Sequence, residues 1–156
     1  MIIKAVPATK ENFAPYGEFV QHVQGKGRTG DGGWEAWLTK EPCLDVPVMI
    51  GYTLVAGSPF TVDSMESSVN VEEILLCGNK PMVLPVAKAD ADGEVKAEDV
   101  RAFIISPGQY VRIKKSLWHD ACRSADGEGC YYYFLSAQPD ESKRIALSGG
   151  TVTIEV

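Results

Sequence analysis

Histidine is nearly absent from this chain. His22 and His119 are the only two in 156 residues, so a site built on several imidazoles is out of reach, and His119, the one in a promising context, is the single central candidate. Long apolar runs are missing too. Nothing approaches the ~18 residues that a membrane-spanning helix needs, and Met1-Ile2-Ile3-Lys4 has neither the length nor the build of a signal peptide, so the expected address is the cytoplasm. Positive charge is in deficit, with 15 Lys and Arg against 21 Asp and Glu and a net charge of −6. No overall field gathers nucleic acid or an anionic membrane surface. The four cysteines, Cys43, Cys77, Cys122 and Cys130, form no C-x-x-C pair and no zinc spacing. They read as reduced thiols packed as small apolar groups, with a Cys122–Cys130 contact across a hairpin at Asp126-Gly127-Glu128-Gly129 left open. Ser67-Ser68 and Ser116 lack a G-x-S-x-G setting, and no cysteine adjoins a histidine, which leaves nucleophilic catalysis without support.

What is there points to β-structure. Val48 to Val55, Ile74 to Cys77, Met82 to Ala87, Val100 to Ile105, Tyr110 to Ile113, Gly129 to Leu135 and Thr151 to Val156 are rich in β-branched and aromatic residues. Gly, Pro, Asp and Asn separate them at short intervals, the pattern of an antiparallel sandwich or barrel. The exception is Thr9-Lys10-Glu11-Asn12-Phe13, where Thr9 can cap one helical turn that ends before Pro15. One domain covers residues 1–156, with no repeat and no internal boundary. The stretch Gly25 to Gly33 is glycine-rich but lacks a phosphate-loop spacing, and is expected to be a mobile loop near a cavity. Ala89 to Glu98 is an acidic connection whose Asp-x-Asp-Gly fragment lacks the rest of a calcium loop. Trp34 and Trp37, three residues apart, are expected to form a lid or to pack on the barrel edge.

Alternation along strands sorts the charged candidates. Arg112 and Lys114 share one face of Tyr110-Val111-Arg112-Ile113-Lys114, while Val111 and Ile113 share the other. The cations either meet solvent or turn inward as a clamp for a carboxylate, a task for which Arg101 is a further candidate. Glu73 has the parity of Leu75 and Cys77, so it faces inward if they do. His119 follows Trp118, so imidazole and indole point to opposite faces. A neutral imidazole there suits a general base or a metal ligand. His119 and Glu73, with Glu66 or Asp120 in support, would make a carboxylate-rich site for a divalent ion, although no cofactor is required by the pattern. A packed core histidine is the plain alternative.

The segment Ser106-Pro107-Gly108-Gln109 through Leu117-Trp118-His119-Asp120 is similar to the way cupins deliver one imidazole into a barrel mouth. Pro7-Ala8-Thr9-Lys10-Glu11-Asn12-Phe13-Ala14-Pro15-Tyr16-Gly17-Glu18 resembles the opening of ureidoglycolate lyases, small cupins of allantoin breakdown in purine metabolism. Gly57-Ser58-Pro59 with Met65-Glu66, then Asp99-Val100-Arg101-Ala102-Phe103, Gln109 with Val111, and Trp118-His119 are similar to that family in order and spacing. The likeness covers about residues 5 to 120. It implies an all-β cupin-like antiparallel barrel, or jelly roll, with a short N-terminal helical turn, acting as a homodimer on a small carboxylate. The implied reaction splits ureidoglycolate into glyoxylate and urea, with Arg101, Glu66 and His119 on positions the family's motifs also have. The chain departs from the family at Glu66-Ser67-Ser68, where a cation and an imidazole are lost, and at Glu73, Lys114 and Asp120, which replace a glutamine and two histidines. The Lys114 replacement points Arg112 and Lys114 toward the lumen.

Two functions follow. In one, an enzyme holds a hydroxy- or keto-carboxylate with Arg101, Arg112, Lys114 and Glu66, and moves a proton with His119 or Glu73 as a carbon–nitrogen lyase does. In the other, a cupin without catalysis binds a small acidic metabolite, which needs the clamp and not the proton relay.

Overall fold

A strand that is apolar at every position must be covered on both faces, and one strand here sets the architecture for that reason. Met82-Val83-Leu84-Pro85-Val86-Ala87 is buried throughout its length. In the computed structural model, which describes residues 1–30, 33–44, 46–136 and 142–156, this strand is central to a seven-stranded sheet. Along the main path the order is Lys143–Ala146, Ser64–Ser67, Trp118–His119, Met82–Ala87, Arg101–Ile105 and Val6–Pro7, and Arg123–Ser124 also pairs with Met82–Ala87.

Its inner face packs on a five-stranded antiparallel sheet ordered Gly17–Gln21, Gln109–Ile113, Glu73–Cys77, Cys130–Ser136 and Met49–Val55. Met82, Leu84 and Val86 meet Phe19, Leu75, Val111 and Ile113 there, with Phe13 and Phe103. Its outer face carries Val83 and Ala87 into a second core with Met65, Val95 and Val100, closed by Val62, Val152 and Ile154 of a small third sheet. That sheet is ordered Ile2–Lys4, Val152–Glu155, Phe60–Val62. The result is two sheets face to face with their apolar parities turned inward, as a jelly roll requires.

Pro85 has no N–H to give, so a central strand accepts it only where the ladder is interrupted. Met82 and Val83 pair with Ser124 and Arg123, whereas Val86 and Ala87 pair with His119 and Trp118. Pro85 falls in the gap between, and the intervening segment bends away, with Asp120 N donating to Pro85 O at 3.2 Å. This interruption frees Asp120, Ala121 and Cys122 to line a cavity.

Thr9 caps the helical turn Lys10–Phe13 as the sequence predicts, in a capping box with Asn12. The Gly25 to Gly33 stretch is corrected in part. Arg28–Gly30 pairs with Trp34–Ala36 as a hairpin, and residues 31 and 32 lie outside the described residues. The indole Nε1 of Trp37 donates to Gln24 O at 3.2 Å, and the Trp34 side chain lies outside the described residues. All four cysteines are free thiols, so Cys122 and Cys130 are unlinked neighbours of one core. Among the described residues no helix is long and apolar enough to cross a membrane.

Candidate functional site

The site grows from two strands facing each other across the interior. Trp118–His119 hydrogen-bonds to its neighbours with His119 opposite Val86 on one side and Glu66 on the other. Because Val86 points inward, so does the imidazole, while Trp118 packs into the outer core. On the facing sheet, Glu73 shares the inner parity of Leu75 and Cys77. Alternation in the sequence ties Glu73 to the face of Leu75 and Cys77 and sets His119 opposite Trp118, and burial decides which faces are inward.

The two meet. His119 Nε2 lies 3.4 Å from Glu73 Oε2, and the other ring nitrogen, Nδ1, is 3.2 Å from Leu117 O. A carbonyl accepts only, so Nδ1 carries a hydrogen and Nε2 is the nitrogen through which protons can pass. His119 is 7% exposed. Burial by itself pulls its pKa down, but the Glu73 carboxylate, the Leu117 carbonyl and the Glu66 charge more than offset this. The net shift is upward, toward the imidazolium.

The pair opens on a cavity of about 310 Å³. Glu66, Asp120, Tyr132 and Ser68 contribute polar groups to its wall, with Leu75 and Phe134 as apolar floor. Burial raises the Tyr132 hydroxyl far above its usual range, so it stays a neutral donor. Arg144 reaches two of the wall carboxylates, with Nη2 at 3.2 Å from Asp120 Oδ1 and 3.6 Å from Glu66 Oε2. Its Nη1 donates to Ser64 Oγ at 3.0 Å. Arg144 is a site residue that the sequence pattern does not mark. Its signal is faint: in Lys143-Arg144-Ile145-Ala146 only Ile145, which packs on the outer core, marks the opposite face as inward.

None of the three predicted clamp cations lines this cavity, which corrects the expected lumen. Val111 and Ile113, at 0% and 2% exposure, occupy the inner parity of their strand, so Arg112 is on the outer face. There it pairs with Glu18 at 3.1 Å and donates to Cys43 O at 3.0 Å. Lys114 is exposed and donates to Ala14 O at 2.9 Å; it borders only a small pocket of about 10 Å³ beside Glu73 and His119. Arg101 folds back on its own turn, giving Nη1 to Glu98 O and Val100 O at 2.7 and 2.8 Å. Of the predicted residues, the fold thus gathers His119, Glu73 and Glu66 around one cavity and leaves Arg101, Arg112 and Lys114 outside it.

A divalent ion at His119 and Glu73 needs at least one further donor. Among the described residues no group of three His, Cys, Asp or Glu side chains is arranged to hold a metal. Nδ1 of His119 is engaged by Leu117, Nε2 faces Glu73, and Asp120 and Glu66 are tied to Arg144. That donor set does not fit a metal ion.

No protein-family model matches the chain, and no curated protein matches it in sequence. Solved structures do. A dTDP sugar isomerase from Desulfovibrio desulfuricans G20 is similar over 85% of this chain and 83% of its own, at 11% identity and a TM-score of 0.54. Peruvianin-I, a cysteine peptidase from Thevetia peruviana latex, is similar at 11% identity and a TM-score of 0.47, covering 65% of this chain. This chain spans only 57% of that one. Oxalate decarboxylase from Bacillus subtilis is similar at 16% identity and a TM-score of 0.39, over 63% of this chain and 23% of its own. At such identities likeness speaks to architecture alone. With the strand order above, it establishes the chain as an all-β, cupin-like jelly roll.

Proposed function

We propose that this protein is an acid–base enzyme for a small hydroxy- or keto-acid, with His119 and Glu73 as its proton-transfer pair. The observation that carries the reading is their 3.4 Å approach inside a cavity of about 310 Å³. That volume lies at the small end of the ~300–1,000 Å³ range of ligand sites. The finer form of the proposal is a carbon–nitrogen elimination of the ureidoglycolate kind, which the sequence resemblance supports. Glu73 takes the proton of the substrate hydroxyl as the carbon–oxygen double bond forms and the carbon–nitrogen bond breaks. His119 Nε2 gives a proton to the leaving nitrogen. A proton then crosses from Glu73 to His119 and restores the pair, so ureidoglycolate yields glyoxylate and urea with no other reactant. In this reading Arg144 meets the substrate carboxylate, since a guanidinium has five donors and this one stands beside the cavity wall. The free thiols support a reducing, cytoplasmic setting.

A second reading is a binder without catalysis. It is favoured by Ser68, which lines the cavity where the resembling family has a histidine. One experiment separates the two. Urea release from ureidoglycolate is measured beside the thermal midpoint of the wild type, His119→Ala and Glu73→Gln. The enzyme reading expects turnover that falls by about 10²–10⁴-fold in either variant, with the ligand-induced midpoint shift retained. A midpoint shift without turnover in the wild type selects the binder. Neither shift nor turnover, with ureidoglycolate or with simpler hydroxy- and keto-acids, overturns both.

A further inference from the structure

The edge strand Met49–Val55 ends the five-stranded sheet. It pairs along its whole length with Cys130–Ser136, and among the described residues nothing pairs with its other side. Natural sheets guard such edges with charge, proline or a bulge. This one carries no charge from Val46 to Ala56, and its one proline, Pro47, precedes the strand. Every second side chain on the sheet's outer face is apolar and open to solvent: Val48 at 42%, Ile50 at 72%, Tyr52 at 51% and Leu54 at 73%. Tyr133 adds to the same patch at 39% exposure and packs on Tyr52, ring centroids 5.3 Å apart.

Taking ~200 Å² for a large side chain, these residues expose on the order of 600 Å². That is the upper end of the ~300–600 Å² of a monomer's largest apolar patch. Pairing along the edge covers the free backbone groups and the flanks of Ile50, Tyr52 and Leu54 on one face and of Met49, at 46% exposure, on the other, toward the ~800 Å² per partner of a standard interface.

We propose that this edge is a homodimer interface, in which two copies of Met49–Val55 pair antiparallel about a two-fold axis at Tyr52. Three features commit the patch to a second copy. Pairing centred on Tyr52 uses all seven residues of the strand, and it sets Ile50 of one copy against Leu54 of the other, Tyr52 against Tyr52, and Met49 against Val55, so every pair is self-complementary. The free N–H groups of each copy's edge donate to the free C=O groups of the other's, and the two five-stranded sheets become one of ten. Finally, a chain of net charge −6 repels its copy, and a surface free of carboxylates is where the two can approach. The interface also adjoins the cavity: Thr53 of this strand lines it and stands opposite position 51 of the second copy.

Sedimentation equilibrium of the full chain tests the pairing, with the thermal midpoint as a check that these exposed substitutions leave the fold intact. The wild type is expected at twice the chain mass. The double variant Ile50→Lys/Leu54→Lys places like charges opposite each other and is expected to dissociate about 100-fold more readily. The double variant Ile50→Lys/Leu54→Glu places opposite charges there and is expected to remain dimeric. A monomeric wild type, a dimer that survives the two lysines, or equal dissociation of both variants overturns the proposal.

Discussion

His119 and Glu73 come from opposite sheets of the jelly roll and meet at 3.4 Å across its interior. Neither strand could make the pair alone. Val86 and Glu66 fix the register that aims the imidazole inward, and the parity of Leu75 and Cys77 aims the carboxylate. The pair therefore exists only in the folded state, which ties its protonation to stability.

That tie fixes a sign. The folded pKa of His119 is raised above the 6.5 of a free imidazole; burial opposes the shift, and Glu73 leads the groups that outweigh it. The imidazolium thus contributes stability that is fully present below pH ~6.5 and is lost as pH rises through the folded value. The thermal midpoint of the wild type is expected to fall across that window. Glu73→Gln is expected to flatten the fall and to cost about 1.5–3 kcal/mol at pH 5, the worth of a hydrogen bond to a charged group. Proton NMR of the ring checks the cause, since the His119 resonance should titrate at lower pH in the variant. An unmoved titration would sever the link between the pair and the pH profile.

The central strand supplies a second expectation. Leu84 is 0% exposed in the inner core, and its neighbours cannot collapse because Val83 and Val86 hold the strand on both sides. Leu84→Ala should cost about 2–5 kcal/mol and lower the midpoint by roughly 5–20 °C. Leu38, at 74% exposure, offers the control, where truncation should stay within ~0.5 kcal/mol.

Much of this frame can be read from residues, and the failures have physical reasons. The long strands are legible because they are buried on at least one face and so must alternate or run apolar, as Met82–Ala87 and Cys130–Ser136 do. Short strands such as Val6–Pro7 and Arg123–Ser124 are not, since two residues carry no period. Val111 and Ile113 already say which side of their strand is inside, and family likeness at Lys114 argues the other way; burial decides, because two β-branched side chains lose more in water than two cations gain indoors. His119 and Glu73 are legible through parity. Arg144 is not, since a Lys-Arg pair at a strand edge has the look of a solvated face.

The thiols respond to the same burial. Desolvation pushes Cys77 up to about 12, raises Cys122 well above the ordinary value, and raises Cys130 as well. The thiolate is the reactive form, so these three should resist a disulfide reagent in the native protein. Cys43 lies half-buried beside the Tyr110 hydroxyl at 3.5 Å, outside both cores. Ellman's reagent is expected to modify Cys43 first, and the other three only on unfolding. Rapid native labelling of Cys122 would mean that the cavity wall opens far more often than its packing implies.

The sharpest contrast lies between two arginines. If a carboxylate enters the cavity, the guanidinium beside it is Arg144, bound to Asp120 and Glu66; Arg112 is on the other face of its sheet with Glu18. Arg144→Gln removes a charge-assisted contact worth about 1.5–3 kcal/mol, or roughly 10–150-fold in affinity. KM for the acid should rise by that factor, with kcat much less affected, because the proton-transfer pair is untouched. Arg112→Gln should leave KM where it is and instead loosen the segment that Cys43 O anchors, seen as faster labelling of the Cys43 thiol. Equal KM for the wild type and Arg144→Gln would remove the cation from the site. The cavity would then hold Glu66, Glu73 and Asp120 against His119 alone, an electrostatic balance that selects a neutral or amine-bearing substrate over an acid.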